Sequence, residues 1–470
     1  MLLKFTKNFL IKNHIKVYPT ERDTMFVARI DLSKSTVKIS EVPQSWEREY
    51  IGGKGVATKL LFEIPPKIDP FHPDNALIFG IGPLNGITLS GATRMTCVFK
   101  SPMTGGYGES QCGGFIAYEM RKAGIDFLFI TGKADRPVYI VVEDKNIQIK
   151  DASHLWGRDS YETEETLRKD EGGEVLTIGQ AGENLVRFAC INHRRGRQFG
   201  RAGAGAVMGS KNLKGIVIKG SGKVDVAELG KLKEFRKWLN QNVVSNLQGM
   251  TKYGTPGIMA LTNEAGVLPT KYWQEGSFEG FESINAEAMQ KYVERNTACY
   301  GCVVACGKIT SLGDLKVEGP EYETLFSFGS LCYNSDLKSI IKANDLCDRF
   351  GMDVISAGNT IAFLMACSER GEIEEGIDFG DGEAILELLR KIAFREGIGH
   401  MLAEGSRRAA ELLKVSTEPV HVKGLEPAGY DPRGLYSMAL AYVTSQRGAC
   451  HMRSCAYRPN LTGVMDRFSP

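Results

Sequence analysis

The chain has 470 residues, 43% hydrophobic and 24% charged, a composition that supports two or three domains with buried cores and excludes disorder or a fibre. Its 58 Lys and Arg against 56 Asp and Glu leave a formal charge of +2, too small to gather nucleic acid or an anionic membrane. The longest apolar runs, such as Ala76 to Ile81 and Ile361 to Cys367, fall far short of the roughly 20 residues needed to cross a bilayer.

Residues 1 to 24 carry several lysines with Phe5, Phe9 and Leu10, but no continuous apolar region leads to a small-residue cleavage site. They read as a poorly ordered extension, or as an upstream start before Met25. From Phe26 the pattern is strand-rich. Phe26 to Leu32 and Thr36 to Val42 alternate around Leu32-Ser33-Lys34-Ser35 as a hairpin, and Val138 to Val142 and Ile147 to Ile149 flank Asp144-Lys145-Asn146 as another. Phe127 to Ile130, Leu176 to Ile178 and Gly215 to Ile218 read as short buried strands, with a helix over Phe115 to Ala123. Most of the 53 glycines cluster in this half, as expected where backbone turns sharply or approaches a large ligand.

After Gly222 the period changes towards helix. Asn334-Ser335 caps a helix with Leu337, Ile340, Ile341, Asn344 and Cys347 on its inner side, closed by Gly351. Ile355 to Cys367, Ala384 to Arg395 and Met401 to Leu413 repeat the helical spacing. The expected fold is α+β: a mainly β domain of two packed sheets over 25–222, a mainly α-helical domain over 223–420, and the start of a third helical domain over 421–470.

Cys299, Cys302 and Cys306 crowd into eight residues of a chain with eleven cysteines. That pattern suits metal ligation in a reducing, cytoplasmic compartment better than disulfides. A tight loop entering a helix could turn all three thiols to one point, as an iron-sulfur cluster needs. Zinc also accepts thiolates, but no second Cys-x-x-Cys or His pair lies nearby. Three thiols packed as small apolar groups is the plainer reading. A fourth ligand is not obvious: Cys332 and Cys347 read as core, and Cys450 and Cys455 belong to a later segment that could return to the loop.

Between 26 and 456 a longer set of motifs appears in order: Gly52-Gly53-Lys54-Gly55, Gly82-Pro83-Leu84-Asn85-Gly86, Arg94, Lys100-Ser101-Pro102, Gly113-Gly114, Ala123-Gly124, Ala181-Gly182-Glu183-Asn184 and Gly205 to Lys214. Glu318-Gly319-Pro320-Glu321-Tyr322-Glu323, Cys347-Asp348-x-x-Gly351-x-Asp353, Tyr430-Asp431-Pro432-Arg433-Gly434 and Arg447-Gly448-x-Cys450-His451 follow the cysteines. With that order and spacing the chain resembles the aldehyde:ferredoxin oxidoreductase family. The resemblance implies tungsten (molybdenum is not distinguishable from side chains) held by two pyranopterin dithiolenes. It also implies one [4Fe-4S] cluster on Cys299, Cys302 and Cys306, and oxidation of a small aldehyde with electrons passed to ferredoxin.

The same resemblance assigns roles. Arg94 and Arg197 fall at pterin-contacting positions, and the Gln111-Cys112-Gly113 loop faces the pterins. The basic stretch His193 to Gly203, with Gln198 and Gly200, suits phosphate, although on charge alone it reads as an exposed turn. Gln111 and Cys112 depart from the family's asparagine and small polar residue, which puts in doubt a Mg ion between the pterin phosphates. Cys112 then reads as a serine substitute. Asp348, Gly351 and Asp353 match the Asp-x-x-Gly-x-Asp pattern whose carboxylates accept from pterin N–H groups. Glu323 and His451 align with the proton-handling positions: Glu323 as a base with a raised pKa, His451 holding or protonating the aldehyde oxygen.

Lys342 and Asp345 stand where some members place a Glu and a His around an iron between subunits, so no such bridging iron is expected, and a homodimer stays an open option. Members continue past the point reached by Pro470, through a second Asp-x-x-Gly-x-Cys segment carrying the fourth thiolate. The chain therefore reads as a fragment. Two other readings compete: the catalytic subunit of an aromatic acyl-CoA reductase complex, and a non-catalytic cofactor-binding relative.

Overall fold

The computed structural model describes residues 24–374, 376–454 and 457–461. Cys455, offered above as a cluster ligand, and residues 1–23 of the N-terminal extension lie outside them. The first six strands, β1 (Phe26–Asp31), β2 (Thr36–Glu41), β3 (Leu77–Gly80), β4 (Met95–Lys100), β5 (Tyr107–Cys112) and β6 (Phe127–Thr131), form one sheet in the order β2-β1-β6-β3-β4-β5. The next six form a second sheet: β7 (Val138–Glu143), β8 (Asn146–Asp151), β9 (Glu174–Thr177), β10 (Ile191–His193), β11 (Arg197–Phe199) and β12 (Leu213–Lys219), in the order β11-β10-β9-β12-β7-β8. Each sheet is antiparallel except for one pair, β1 with β6 and β12 with β7.

Successive side chains of a strand point to opposite faces, and the alternation sorts them cleanly. Leu77 and Phe79, Met95, Cys97 and Phe99, Ile140 and Val142, Ile216 and Ile218 meet in one core between the sheets. Their neighbours Ile78, Val98, Val141 and Val217 face outwards. Helix α1 (Gly53–Leu61) covers the outside of the first sheet with Val56, Ala57 and Leu60. Helix α2 (Ile116–Ala123) turns Ile116, Ala117 and Met120 into the inter-sheet core, and α3 (Ser160–Glu171) lays Leu167 on the second sheet. Two packed mixed sheets followed by helices is the α+β architecture expected from the sequence, and both hairpins stand where the alternation put them.

The second half is helical: α4 (Leu229–Asn242), which buries no residue, is followed by α5 (Leu337–Phe350), α6 (Val354–Glu369), α7 (Gly382–Phe394), α8 (Ser406–Leu413) and α9 (Tyr436–Thr444) around a buried centre. Helix α6 is buried all round, from Ile355 to Cys367, as a helix without a polar face must be. Each fully buried Ile, Leu or Phe on it stabilises the fold by about 1.5–3 kcal/mol. Phe188, Ala189 and Ala206 of the first half belong to the same core. The seam is also hydrogen-bonded, from Asp353 N to the Phe188 carbonyl and from Cys190 N to the Gly351 carbonyl. Among the described residues no helix is long and apolar enough to cross a membrane.

Three local expectations change. The cap of α5 is Asp336, whose carboxylate accepts from Lys338 N and Ser339 N at 3.0 and 3.2 Å, because it sits where a short side chain reaches the orphan amides. Asn334 accepts from Asp336 N instead. The helix expected over Met401 to Leu413 is broken: Gly405 turns the chain at φ 83, and buried Glu426 accepts from the Ser406 amide at 3.0 Å to start α8. The cysteine loop enters no helix. It joins β13 (Val293–Thr297) to β14 (Gly307–Leu312) of a three-stranded antiparallel sheet completed by β15 (Leu315–Glu318).

Candidate active site

Glu323 stands on a single helical turn, Tyr322–Leu325, that widens into a π-helical turn over Phe326–Ser330, a distortion frequent at functional sites. Its Oε2 accepts from Gly429 N at 3.0 Å, while Oε1 is buried without a hydrogen-bond partner and lies 3.7 Å from His451 Nε2. Burial pushes the carboxyl up to about 7, Asp353 adding to the shift and Arg201 opposing it. His451 follows the Ser445-to-Cys450 turn after α9 and stacks on Tyr430, which stacks on Tyr457 and leans on Tyr322. Burial, then the cations Arg201, Arg447, Arg94 and Arg453, holds the imidazole well below its ordinary range. At neutral pH it is uncharged, with Nδ1 buried and unpartnered. Of the two roles expected for His451, holding an oxygen fits this environment, and protonating it as an imidazolium does not.

Arginines surround the pair. Arg201 is buried and fully engaged, by Asp353 (Nε to Oδ2, 3.0 Å) and the carbonyls of Ala449 and Glu426. Arg447 donates to the Glu109 carbonyl at 2.6 Å and Arg453 reaches the Glu109 carboxylate at 2.9 Å, yet Nε of each is buried without a partner. Lys54 also holds Glu109, at 2.9 Å, so that one nearly sealed carboxylate collects residues of β5, α1 and the segment after α9. Arg94 is exposed; its carbonyl accepts from Asn85 Nδ2 at 3.4 Å, while its guanidinium has no hydrogen bond or ion pair among the described residues. Arg447, Arg453 and Cys450 share this neighbourhood, and the guanidiniums pull the Cys450 thiol below its ordinary pKa against its burial. Cys450 therefore keeps company with His451 rather than with the cysteine loop.

The three clustered cysteines are half-buried. Gly113 faces them closely: a Cβ there would lie 2.9 Å from Cys299 Sγ, so only glycine leaves the thiol its place. Tyr300 N donates to the Gly114 carbonyl, Cys302 N to that of Cys299, and Val303 N to Ser90 Oγ, which pins the loop against the first sheet. Among the described residues no three His, Cys, Asp or Glu groups form a ready metal-ligand set. The donor chemistry nevertheless fits a thiophilic cluster: three thiols in eight residues, with the Arg197 guanidinium near Cys299 and Cys306 to stabilise thiolate charge.

The basic stretch is a hairpin, not a phosphate loop of free guanidiniums. Arg194 is held by Glu174 and lies 3.7 Å over the Phe115 ring, Arg197 meets Glu318 at 2.6 Å, and Arg201 has Asp353. Each cation pairs because the hairpin and the residues after it fold onto elements that carry carboxylates, Glu174 on β9, Glu318 on β15 and Asp353 at the cap of α6. Gln111 and Cys112 are likewise strand residues, opposite Thr96 and Met95, with Gly113 alone in the turn. Cys112 is buried in the inter-sheet core with its thiol pKa raised by burial, which agrees with a packing substitute. Gln111 donates to Glu109 at 3.1 Å.

Gln198 donates to Asp348, whose other oxygen accepts from Asn344 at 2.9 Å. Burial, with Asp345 and Glu318 nearby, raises that carboxyl well above its usual range. Gly200 ends the same hairpin. Gly351 closes α5 in the left-handed region at φ 76, and Asp353 caps α6 through Ile355 N. Asp348 and Asp353 thus already have protein donors. Lys342 reaches Glu383 and Asp345 holds Arg349. Sequence reasoning assigned nothing to Arg201, Arg447, Tyr430 or Glu109. The first three stand inside motifs quoted above, whereas nothing marks Glu109 in a linear reading.

The orphaned polar atoms are the test of fit for the implied cofactor. Glu323 Oε1, His451 Nδ1, the Nε atoms of Arg447 and Arg453, and Ser454 Oγ are all buried and unsatisfied, whereas buried polar groups are ordinarily hydrogen-bonded. A polyanionic, hydrogen-bonding heterocycle supplies what they lack. The model of the aldehyde ferredoxin oxidoreductase N-terminal domain matches residues 27–220, and that of domains 2 and 3 matches 231–470. The tungsten-containing aldehyde ferredoxin oxidoreductase of Pyrococcus furiosus is 39% identical over 460 residues, 94% of this chain and 76% of that protein, as is that of Thermococcus kodakarensis. The aliphatic sulfonate oxidoreductase WOR-like subunit of Pyrococcus furiosus is 31% identical over 91% of this chain and 74% of its own. Among solved structures, the active site complex BamBC of benzoyl coenzyme A reductase with 1,5-dienoyl-CoA has a TM-score of 0.77 at 27% identity, over 90% of this chain and 69% of that one. The resemblance read from the motifs is therefore borne out: this chain belongs to the aldehyde ferredoxin oxidoreductase family.

Proposed function

We propose that the chain oxidises an aldehyde to the carboxylic acid at a tungsten-bispterin centre and passes the electrons through a [4Fe-4S] cluster to ferredoxin. One observation carries this reading: Glu323 and His451 face each other with buried, unsatisfied polar atoms inside a ring of arginines. When bound, the metal-pterin group would accept the substrate's two electrons and the cluster would relay them singly.

The chain's own residues supply binding and proton handling. Arg447, Arg453 and Arg94 offer N–H donors to the cofactor's phosphates and ring edges, Gly113 leaves room for Cys299, and Cys299, Cys302 and Cys306 are the cluster's protein ligands. Arg197, Gln198 and Gly200 shape the β10–β11 hairpin, from which the Arg197 guanidinium near Cys299 and Cys306 would stabilise the cluster's thiolates. Asp348, Gly351 and Asp353 fix the α5–α6 corner beneath it, with the aspartates able to exchange a protein donor for a pterin N–H. Gln111 is taken up by Glu109, so no Mg ion is assigned to that strand end. Neutral His451 donates a hydrogen bond to the substrate oxygen. Glu323, half protonated near neutrality, takes the proton from the attacking water, and the Tyr430 ring keeps the pair apart from bulk solvent. The setting is an oxygen-poor cytoplasm, and the assembly a homodimer without a bridging iron.

Similarity to the BamBC complex favours one second reading, reduction of an aromatic acyl-CoA thioester by the same fold within a larger complex. The test uses the complete protein expressed anaerobically, with tungsten and iron analysis and a panel of aldehydes oxidised against a viologen dye. Dye reduction by aldehydes supports the proposal. A protein without metal or dye activity overturns it, and activity confined to aryl-CoA thioesters selects the second reading.

A further inference from the structure

The segment whose two ends are tied to the cysteine loop carries a basic helix. Helix α4 carries Lys231, Lys233, Arg236 and Lys237 against the single acid Glu234, and none of its residues is buried, Leu229 being 52% exposed. Both ends of its segment are tied to the structure that holds the thiols. At one end Val224 packs at Gly86, where an added Cβ would meet it at 3.2 Å, and the turn after Gly86 touches Gly301 through Thr88. At the other end Thr251 donates to the Val304 carbonyl at 2.8 Å, and its own carbonyl accepts from Asn296 and Lys308 at 3.0 and 3.1 Å. Val303, at the tip of the cysteine loop, is 48% exposed.

Exposed Lys252, Lys291 and Arg295 stand on the segments flanking that loop. With Lys233, Arg236 and Lys237 they make six cations, none in an ion pair among the described residues, whereas Lys316 and Lys231 nearby are matched by Glu294 and Glu228. On a chain whose net charge is only +2, this is a local excess of cations without ion pairs on segments tied to the cysteine loop, offset in part by Glu287 near Lys252 and by Glu294 and Glu318 near Arg295. Electron-transfer encounters are small interfaces that rely on such steering rather than on buried area.

We infer that this face docks the electron carrier: a small acidic iron-sulfur protein, its acidic rim on Lys233, Arg236, Lys237, Lys252, Lys291 and Arg295 and its cluster edge over Val303. The inference rests on reading Cys299, Cys302 and Cys306 as cluster ligands. Each encounter moves one electron from the reduced enzyme to the oxidised carrier, so a two-electron oxidation needs two encounters. Charge steers the approach and the small contact lets the carrier leave.

The test compares the complete, anaerobically purified holoenzyme with its Lys233→Glu/Arg236→Glu/Lys237→Glu variant, and with Arg295→Glu as a second variant less able to disturb α4. Each is assayed with a viologen dye and with oxidised ferredoxin. Dye kinetics are expected to stay unchanged while the KM for ferredoxin rises about ten-fold at low salt, the gap narrowing as ionic strength rises. An unchanged KM for ferredoxin with intact dye activity overturns the inference. So does an unchanged KM accompanied by loss of a dimer in sedimentation, which would make this face a contact between copies of the chain. Absence of dye activity in the unmodified holoenzyme would strike the catalytic proposal itself.

Discussion

Glu323 Oε1 lies 3.7 Å from His451 Nε2, and neither this oxygen nor His451 Nδ1 has a hydrogen-bond partner. The carboxyl is raised by burial to about 7, and the imidazole is depressed by burial and by arginines. The pair therefore passes through neutrality with an uncharged histidine and a carboxyl half ionised.

The first prediction concerns turnover. Only the carboxylate form of Glu323 can take a proton, so kcat/KM should rise with pH and level off above about 7. Glu323→Gln should remove that rise and lower kcat about 10²–10⁴-fold with tungsten and iron contents unchanged. A variant that keeps its rate and its pH profile removes Glu323 from the chemistry.

The same shift predicts stability with the opposite sense. A carboxyl whose folded pKa lies above its unfolded value stabilises the fold fully below about 4.5 and loses that contribution as pH rises through about 7. Glu323→Gln should therefore gain thermal stability over the parent at pH 8 but not at pH 5, read as Tm of the metal-free protein. Equal differences at both pH values would contradict the burial argument.

Gly113 gives a test of the cysteine loop. A Cβ there would lie 2.9 Å from Cys299 Sγ, inside contact distance, so Gly113→Ala should displace the thiol. The expected outcome is loss of most of the cluster iron, measured by iron analysis and the cluster's visible absorbance, with far-UV circular dichroism unchanged. Retention of full iron would show that the thiol moves aside without cost.

Lys214 and Glu183 form a buried ion pair, their side chains 0% and 5% exposed, and Lys214 Nζ also donates to the Arg158 carbonyl at 2.7 Å. Lys214→Met leaves Glu183 charged and unmatched, at a cost of about 3–5 kcal/mol, readable as a lower midpoint in urea. Adding Glu183→Gln should recover much of the loss. Additive destabilisation in the double variant would show that the two groups do not act as a pair.

That ion pair also shows what the family motifs are made of. Ala181-Gly182-Glu183-Asn184 and the run from Gly205 to Lys214 looked in the sequence like two separate signatures of a cofactor domain, yet Glu183 of the helical turn Gln180–Glu183 and Lys214 of β12 are each other's partners. In the same way His193 to Gly203 looked like a phosphate loop because it is dense in arginine. Folded, Arg194, Arg197 and Arg201 each meet a carboxylate from a distant element. A linear reading cannot weigh such pairing, because the acids stand far from the arginines along the chain.

Local chemistry alone determined strands β1, β2, β6 to β9 and β12, the helices α5 to α7, the glycine that closes α5, and the crowding of Cys299, Cys302 and Cys306 into one loop. Alternation, helical period and turn residues act over a few positions, so the chain carries them in plain order. Only the tertiary structure decided that Glu323 is raised to about 7, that His451 is neutral, that Glu109 gathers Lys54, Arg447 and Arg453, and that Cys450 lies with the arginines rather than with the other thiols. Those facts come from desolvation and from charges brought together over the whole length of the chain, and neither exists until the elements are packed.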